Sequence, residues 1–270
     1  MTDAFRTAVL GLIDAAESQD THRFATHVRD SFELAGQVDA QAREDAIARI
    51  GPVIANPGIL PGDAADLAIV AGAMVDTGAR AGSVGLLVLR SLASTAQAAT
   101  RFVEAWEQTG DGPLIEPEAL TTADEERVAT VLGTTAGSAT MAWWTARRFA
   151  AAGVSMLGDT EVRSHLAAEP DLHAELYGGA QRLAHALPEF AQLRSLLDNV
   201  DVPADSAPPS PPPAPQPPQP PPAPAPSAAP SSPPPPGRGL VPPPPASACV
   251  TAQWGTTWRY AASTQPPPQT

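Results

Sequence analysis

The chain has 270 residues, 43% hydrophobic but only 5% aromatic, and 26 of its 33 prolines lie beyond residue 202, so the part able to bury a core is residues 1–202. Sixteen basic residues, all Arg, face 29 acidic ones for a net charge of -13, a poor footprint for nucleic acid or anionic lipid. The single cysteine, Cys249, excludes an internal disulfide and argues against a Cys-based zinc site.

From Phe5 onward, Val9, Leu12, Ile13 and Ala16 recur at the spacing that lays one apolar stripe along a helix. Thr21 is predicted to cap a second helix whose Phe24, Val28, Phe32 and Ala35 share a face, with Gly36 as the left-handed residue that ends it. The two form a predicted hairpin. Asp39 caps a third helix carrying Ala46, Ile47 and Ile50, and Gly51-Pro52 is predicted to stop it, since proline lacks an amide hydrogen and its ring crowds the preceding turn.

After Asn56-Pro57-Gly58 and Pro61, Asp63 is the predicted cap of a helix with Leu67, Val70, Ala71, Met74 and Val75 on one face and Gly78 at its end. Ser83 opens a longer helix through Val84, Leu87 and Val88 to Phe102 and Trp106, closed by Gly110-Asp111-Gly112-Pro113. Thr122 with Glu125 reads as a capping box for a helix through Val128, Val131 and Leu132 toward Trp143 and Phe149. Gly133 and Gly137 weaken that helix by about 1 kcal/mol each relative to Ala, and a kink is expected there.

A short helix near Thr160 precedes one starting at Pro170-Asp171, with Leu172, Leu176, Ala180, Leu183 and Leu187 in register. Pro188 begins a last segment with Leu193, Leu196 and Leu197. No stretch alternates with period two for long enough to make a strand. The expected fold is all-α, about eight or nine helices in a multi-helix bundle or as irregular stacked helical hairpins.

Residues 67–92, LAIVAGAMVDTGARAGSVGLLVLRSL, form a small-residue helix that ends in a Gly turn before another helix begins at once. In this they resemble HEAT-like helical-repeat proteins of high-GC bacteria, an origin with which the Ala, Gly, Pro and Arg bias agrees. Helix lengths vary and no fixed repeat period is visible, which departs from a regular solenoid. The resemblance implies a surface for binding other proteins and supplies no catalytic residues.

The amino-terminal MTDAFRTAVLGLIDAAES lacks a basic leading region and reads as a helix, not a signal peptide. Asp76, Arg80 and Arg90 interrupt the most apolar region, Leu67 to Leu92, and oppose membrane insertion. A soluble cytoplasmic protein is expected.

Met74-Val75-Asp76-Thr77-Gly78-Ala79 matches the signature of retroviral-type aspartic proteases, in which a strand delivers a D-T-G-A loop and paired aspartates activate water. Here the preceding residues are helical in pattern, which puts Asp76 in a last helical turn with Gly78 as its cap, and the protease reading is set aside. Glu161 and His165, four apart, are spaced to share a metal, although such a pair is more often a solvated helical one. Trp144, Arg147 and Arg148 combine aromatic and basic chemistry suited to an anionic ligand, against the plainer reading that they cover apolar surface on a helix flank. Gly133-Thr-Thr-Ala-Gly137-Ser138 reads as a close helix approach and not a phosphate loop.

Residues 203–270 form a second, proline-rich region expected to be disordered, with extended polyproline segments. Pro233, Pro236 and Arg238 satisfy a P-x-x-P-x-R pattern by composition alone, and Trp254, Trp258 and Tyr260 are candidate anchors for a partner surface. The expectation is a non-enzymatic interaction or scaffold module with a protein partner, without cofactor, metal, nucleic acid or membrane. The rival is a small-molecule-binding protein or enzyme with a site between helices. A cavity gathering several of Asp76, Trp144, Arg147, Arg148, Glu161 and His165 would favour the rival.

Overall fold

A computed structural model describes residues 2–110 and 112–200; among them ten α-helices and two short 3₁₀ turns succeed one another, and no strand occurs. The helices are α1 (Thr2–Glu17), α2 (Thr21–Ala35), α3 (Ala40–Ile54), α4 (Pro61–Asp76), α5 (Ser83–Gln108), α6 (Thr122–Leu132), α7 (Ala136–Gly158), α8 (Thr160–Ala167), α9 (Pro170–Leu183) and α10 (Pro188–Leu197).

α1 and α2 pair as a hairpin that rests on α3 and α4, whereas the rest of the body is organised around α7. That helix packs along both α4 and α5, and α6, α8 and α10 close on it. Small residues make these approaches possible. A Cβ on Gly72 of α4 would come within 3.2 Å of Ser155, and one on Gly153 of α7 within 2.6 Å of Leu92 on α5. The consecutive helices α4 and α5 therefore meet through α7 more than directly, which makes the assembly a bundle. Leu12, Phe24, Ile50, Leu67, Leu89, Phe102, Trp143 and Phe190 are wholly buried in one continuous core.

Several local expectations are corrected. Asp20, not Thr21, caps α2, its carboxylate accepting from the Arg23 amide at 3.1 Å. Gly36 ends α2 at φ -71°, an ordinary right-handed conformation, and Phe32 is 40% exposed and not part of the core. α3 runs through Gly51-Pro52 to Ile54, because proline in the last turn forfeits only one intrahelical bond and the Ala55 amide still reaches the Gly51 carbonyl at 3.2 Å. Thr121 and Asp124, one residue earlier than expected, form the box that starts α6, with the Asp124 carboxylate accepting from the Thr121 amide and hydroxyl. The long helix expected from 122 to 149 is two helices: Gly133, at φ +56°, breaks the chain into α6 and α7, while Gly137 is accommodated inside α7. Leu187 is buried but lies beyond α9, as the residue preceding α10.

The end of α4 matches its expected cap. The Gly78 amide donates to the Val75 carbonyl at 2.8 Å and the Ala79 amide to Met74 at 3.1 Å, with Gly78 at φ +96°.

Candidate functional site

Pro61 opens α4 with its fixed φ and no amide to satisfy, Leu60 precedes it without a side-chain cap, and Gly62 and Asp63 complete the first turn. Asp63 does not cap this helix, contrary to expectation. Instead, the stripe that buries Leu67, Val70 and Met74 continues one turn back and lands on Asp63, which is only 6% exposed. Its Oδ2 is buried with no hydrogen-bond partner.

One turn on, Asp66 accepts from Nη1 of Arg148 on α7 at 2.8 Å, in an ion pair shielded from solvent on both sides. The Arg148 guanidinium also lies over the Trp144 ring, 4.1 Å from its centroid, and leaves Nη2 buried and unpartnered. The Trp144 ring reaches α4 because residue 62 is glycine: a Cβ there would stand 2.7 Å from Cζ3. Trp144 is 38% exposed, and two further apolar side chains close to this contact in sequence are exposed as well, Met141 one turn earlier on α7 and Leu60 two residues before Gly62.

Burial pushes the Asp63 carboxyl up to about 6, with Asp66 adding to the rise and Arg148 opposing it. Burial raises Asp66 as well, against the pull of Arg148. The site thus sets two carboxylates against one guanidinium beside an exposed indole.

Arg147, the next residue before Arg148 on α7, leads elsewhere. It bonds Glu118 at 2.7 Å and also Glu116, and lies 3.6 Å from Glu189 at the start of α10. Arg147 and two indole donors hold the segment between α5 and α6: Trp106 Nε1 donates to the Pro113 carbonyl and Trp143 Nε1 to that of Ile115, each at 3.0 Å. A cavity of about 510 Å³ lies against this segment, with Glu107, Leu114, Ile115 and His185 in its wall. Another, of about 390 Å³, lies between α1 and α2 beside Thr7, His27, Asp30 and Leu34.

Of the residues singled out in the sequence, Trp144 and Arg148 come together, Arg147 faces a different set of carboxylates, and Trp143 and Phe149 belong to the core. Asp76 ends α4 at the opposite end from Asp63 and accepts from Ser155 Oγ at 2.8 Å; a helix, not a strand, delivers its D-T-G-A. Glu161 and His165 are exposed on α8. Among the described residues no group of three or more His, Cys, Asp or Glu side chains is placed to hold a metal ion, and no helix is long and apolar enough to cross a membrane. Trp254, Trp258 and Tyr260 lie outside the described residues.

Asp66, Met141 and Leu60 carried no sequence motif. The signal for Asp63 was present: it sits four residues before Leu67, on the apolar stripe itself. No known protein family, curated protein or solved structure matches this chain.

Proposed function

We propose that this chain is a non-enzymatic interaction module whose helical body binds a protein partner through the shoulder where α4 meets α7. The observation that carries this reading is Trp144, held against Gly62 and under Arg148 yet 38% exposed, with Met141 one turn earlier on α7 and Leu60 just before α4 exposed as well. A tryptophan fixed in one position offers large contact area at little further entropy cost, which is why such residues dominate binding energy at interfaces. The pairing of Arg147 and Arg148 with carboxylates of their own chain speaks against the anion-binding reading.

The test is affinity capture from source-cell lysate with the full chain and its Trp144→Ala variant side by side. A partner held by the first and lost from the second is expected; equal retention by both would overturn the assignment of this surface.

A second reading, a small-molecule site between helices, is favoured by the cavity of about 510 Å³ beside Trp106 and Trp143. None of Asp76, Trp144, Arg147, Arg148, Glu161 and His165 is among its wall residues, so it does not draw on the candidates for chemistry. Thermal shift against a small-molecule library, with Ile115→Trp filling the cavity as control, tests it.

A further inference from the structure

We propose that the start of α4 recognises a basic side chain, arginine or lysine, presented by a polypeptide partner, with Asp63 as its counter-charge and Trp144, Met141 and Leu60 as the apolar rim. This rests on the interaction-module reading and names the chemistry of the partner.

The first argument is the acceptor count. A carboxylate accepts several hydrogen bonds, and buried polar atoms are nearly always paired, yet Asp63 Oδ2 has no donor. The two adjacent arginines of α7 give their hydrogen bonds to other carboxylates: Arg148 bonds Asp66, and Arg147 is drawn to Glu116, Glu118 and Glu189. The positive end of α4 already lies beneath Asp63 and does not keep its carboxyl in the usual range. What Asp63 Oδ2 lacks is a donor of its own, because Arg148 bonds Asp66 and its free Nη2 makes no hydrogen bond to Asp63.

The second argument is the rim. Lysine and arginine have long apolar stems that lie along such a surface while the charged head reaches inward, and an exposed indole attracts cations. An anion would meet two carboxylates. Over a body with 28 acidic and 14 basic residues, a basic segment is also drawn in from a distance.

The third argument selects a polypeptide over a free amine. Arg148 Nη2 is a buried donor without an acceptor in the same cluster. A main-chain carbonyl next to the incoming side chain supplies that acceptor, and a simple amine has none.

The experiment titrates the full chain by calorimetry with acetyl-Leu-Arg-Leu-amide, with the same peptide carrying Gln in place of Arg, and with ethylammonium. Binding of the Arg peptide is expected at pH 7.5, weakened at least about tenfold in Asp63→Asn and in Trp144→Ala, and weakened in the wild type on lowering the pH to 5 as Asp63 takes up its proton beside Asp66 and Arg148. Equal binding of the Gln peptide, unchanged binding by Asp63→Asn, or the absence of any binding at millimolar peptide overturns the proposal. Ethylammonium binding as well as the Arg peptide overturns it in favour of a small-amine site. Partner capture that depends on Trp144 but not on Asp63 sinks this inference alone, whereas capture indifferent to Trp144→Ala sinks the interaction surface itself.

Discussion

Gly62 of α4 lies beneath the six-membered ring of Trp144, so that a Cβ at residue 62 would stand 2.7 Å from Cζ3 and 3.0 Å from Cη2. The obstructing atoms are the far end of a side chain with two torsions that is already partly exposed, so the ring and not the backbone gives way. Gly62→Ala is therefore expected to leave overall stability within about 1 kcal/mol, because the helix gains by losing a glycine what the indole loses in packing. The measurable change is local: the Trp144 indole N–H resonance moves, its stacking with Arg148 is lost, and any partner affinity carried by the ring falls with it. An indole resonance that stays in place would contradict the packing described.

Gly85 and Gly36 make an opposed pair. A Cβ on Gly85 would overlap Cγ2 of Val162, which is fully buried and stiff at its first torsion, so α5 and α8 must separate. Gly85→Ala is expected to cost about 2 to 3 kcal/mol in a urea titration. Gly36 has φ -71°, and a Cβ there would have nothing within 4 Å, so Gly36→Ala is expected to stabilise by about 0.5 kcal/mol through the unfolded chain. A loss at Gly36 would restore the left-handed cap that the sequence suggested.

The helical class was legible because long stripes such as Leu67, Val70, Ala71 and Met74 carry the period of a helix whatever their neighbours do. Ends were harder to read. Gly36, Gly78 and Gly133 look alike as letters, yet only the latter two adopt positive φ, and what decides this is the direction the chain must take next. Pro52 shows the same limit: a proline near the end of a helix forfeits little, so its power to stop one depends on tertiary contacts. At the candidate site, the pairing of Arg148 with Asp66 spans 82 residues and left no local trace, since nothing in either helix names the other. The apolar stripe did point to Asp63, but an aspartate just after a proline also fits a cap, and local hydrogen-bonding habit suggested the wrong role.

Arg147 and Arg90 test how far shielding sets the worth of an ion pair. Arg147 is 26% exposed and is shared among Glu116, Glu118 and Glu189, so removing it leaves three neighbouring carboxylates that repel one another. Arg147→Ala is expected to cost about 1 to 2 kcal/mol and to speed amide exchange in residues 113–119, which it ties to α7. The Arg90–Glu169 pair has side chains 53% and 32% exposed, and Arg90→Ala is expected to cost less than about 1 kcal/mol, diminishing in high salt. Denaturant titrations of both variants at low and high salt separate the two cases.

Asp63 should leave a signature in stability against pH. The folded chain holds its proton to about pH 6, whereas the unfolded chain releases it near the ordinary 3.8. Between these values the folded state binds the extra proton, so the residue's contribution to stability is intact below about pH 4, declines as pH rises, and is lowest above about 6. Asp63→Asn removes the charge without removing the volume. Each pH unit of displacement is worth about 1.4 kcal/mol, reduced here by nearby solvent, so a gain of about 1 to 2 kcal/mol is expected at pH 7.5, shrinking to nothing near pH 4. Asp66→Asn should move stability the opposite way at pH 7.5, because it leaves Arg148 without its carboxylate. Denaturation midpoints at four pH values for the wild type and both variants decide the matter. A wild type that an uncharged residue improves progressively from about pH 4 to a plateau above about 6 is carrying an ionised, unpartnered carboxylate, as a site built for an incoming cation requires.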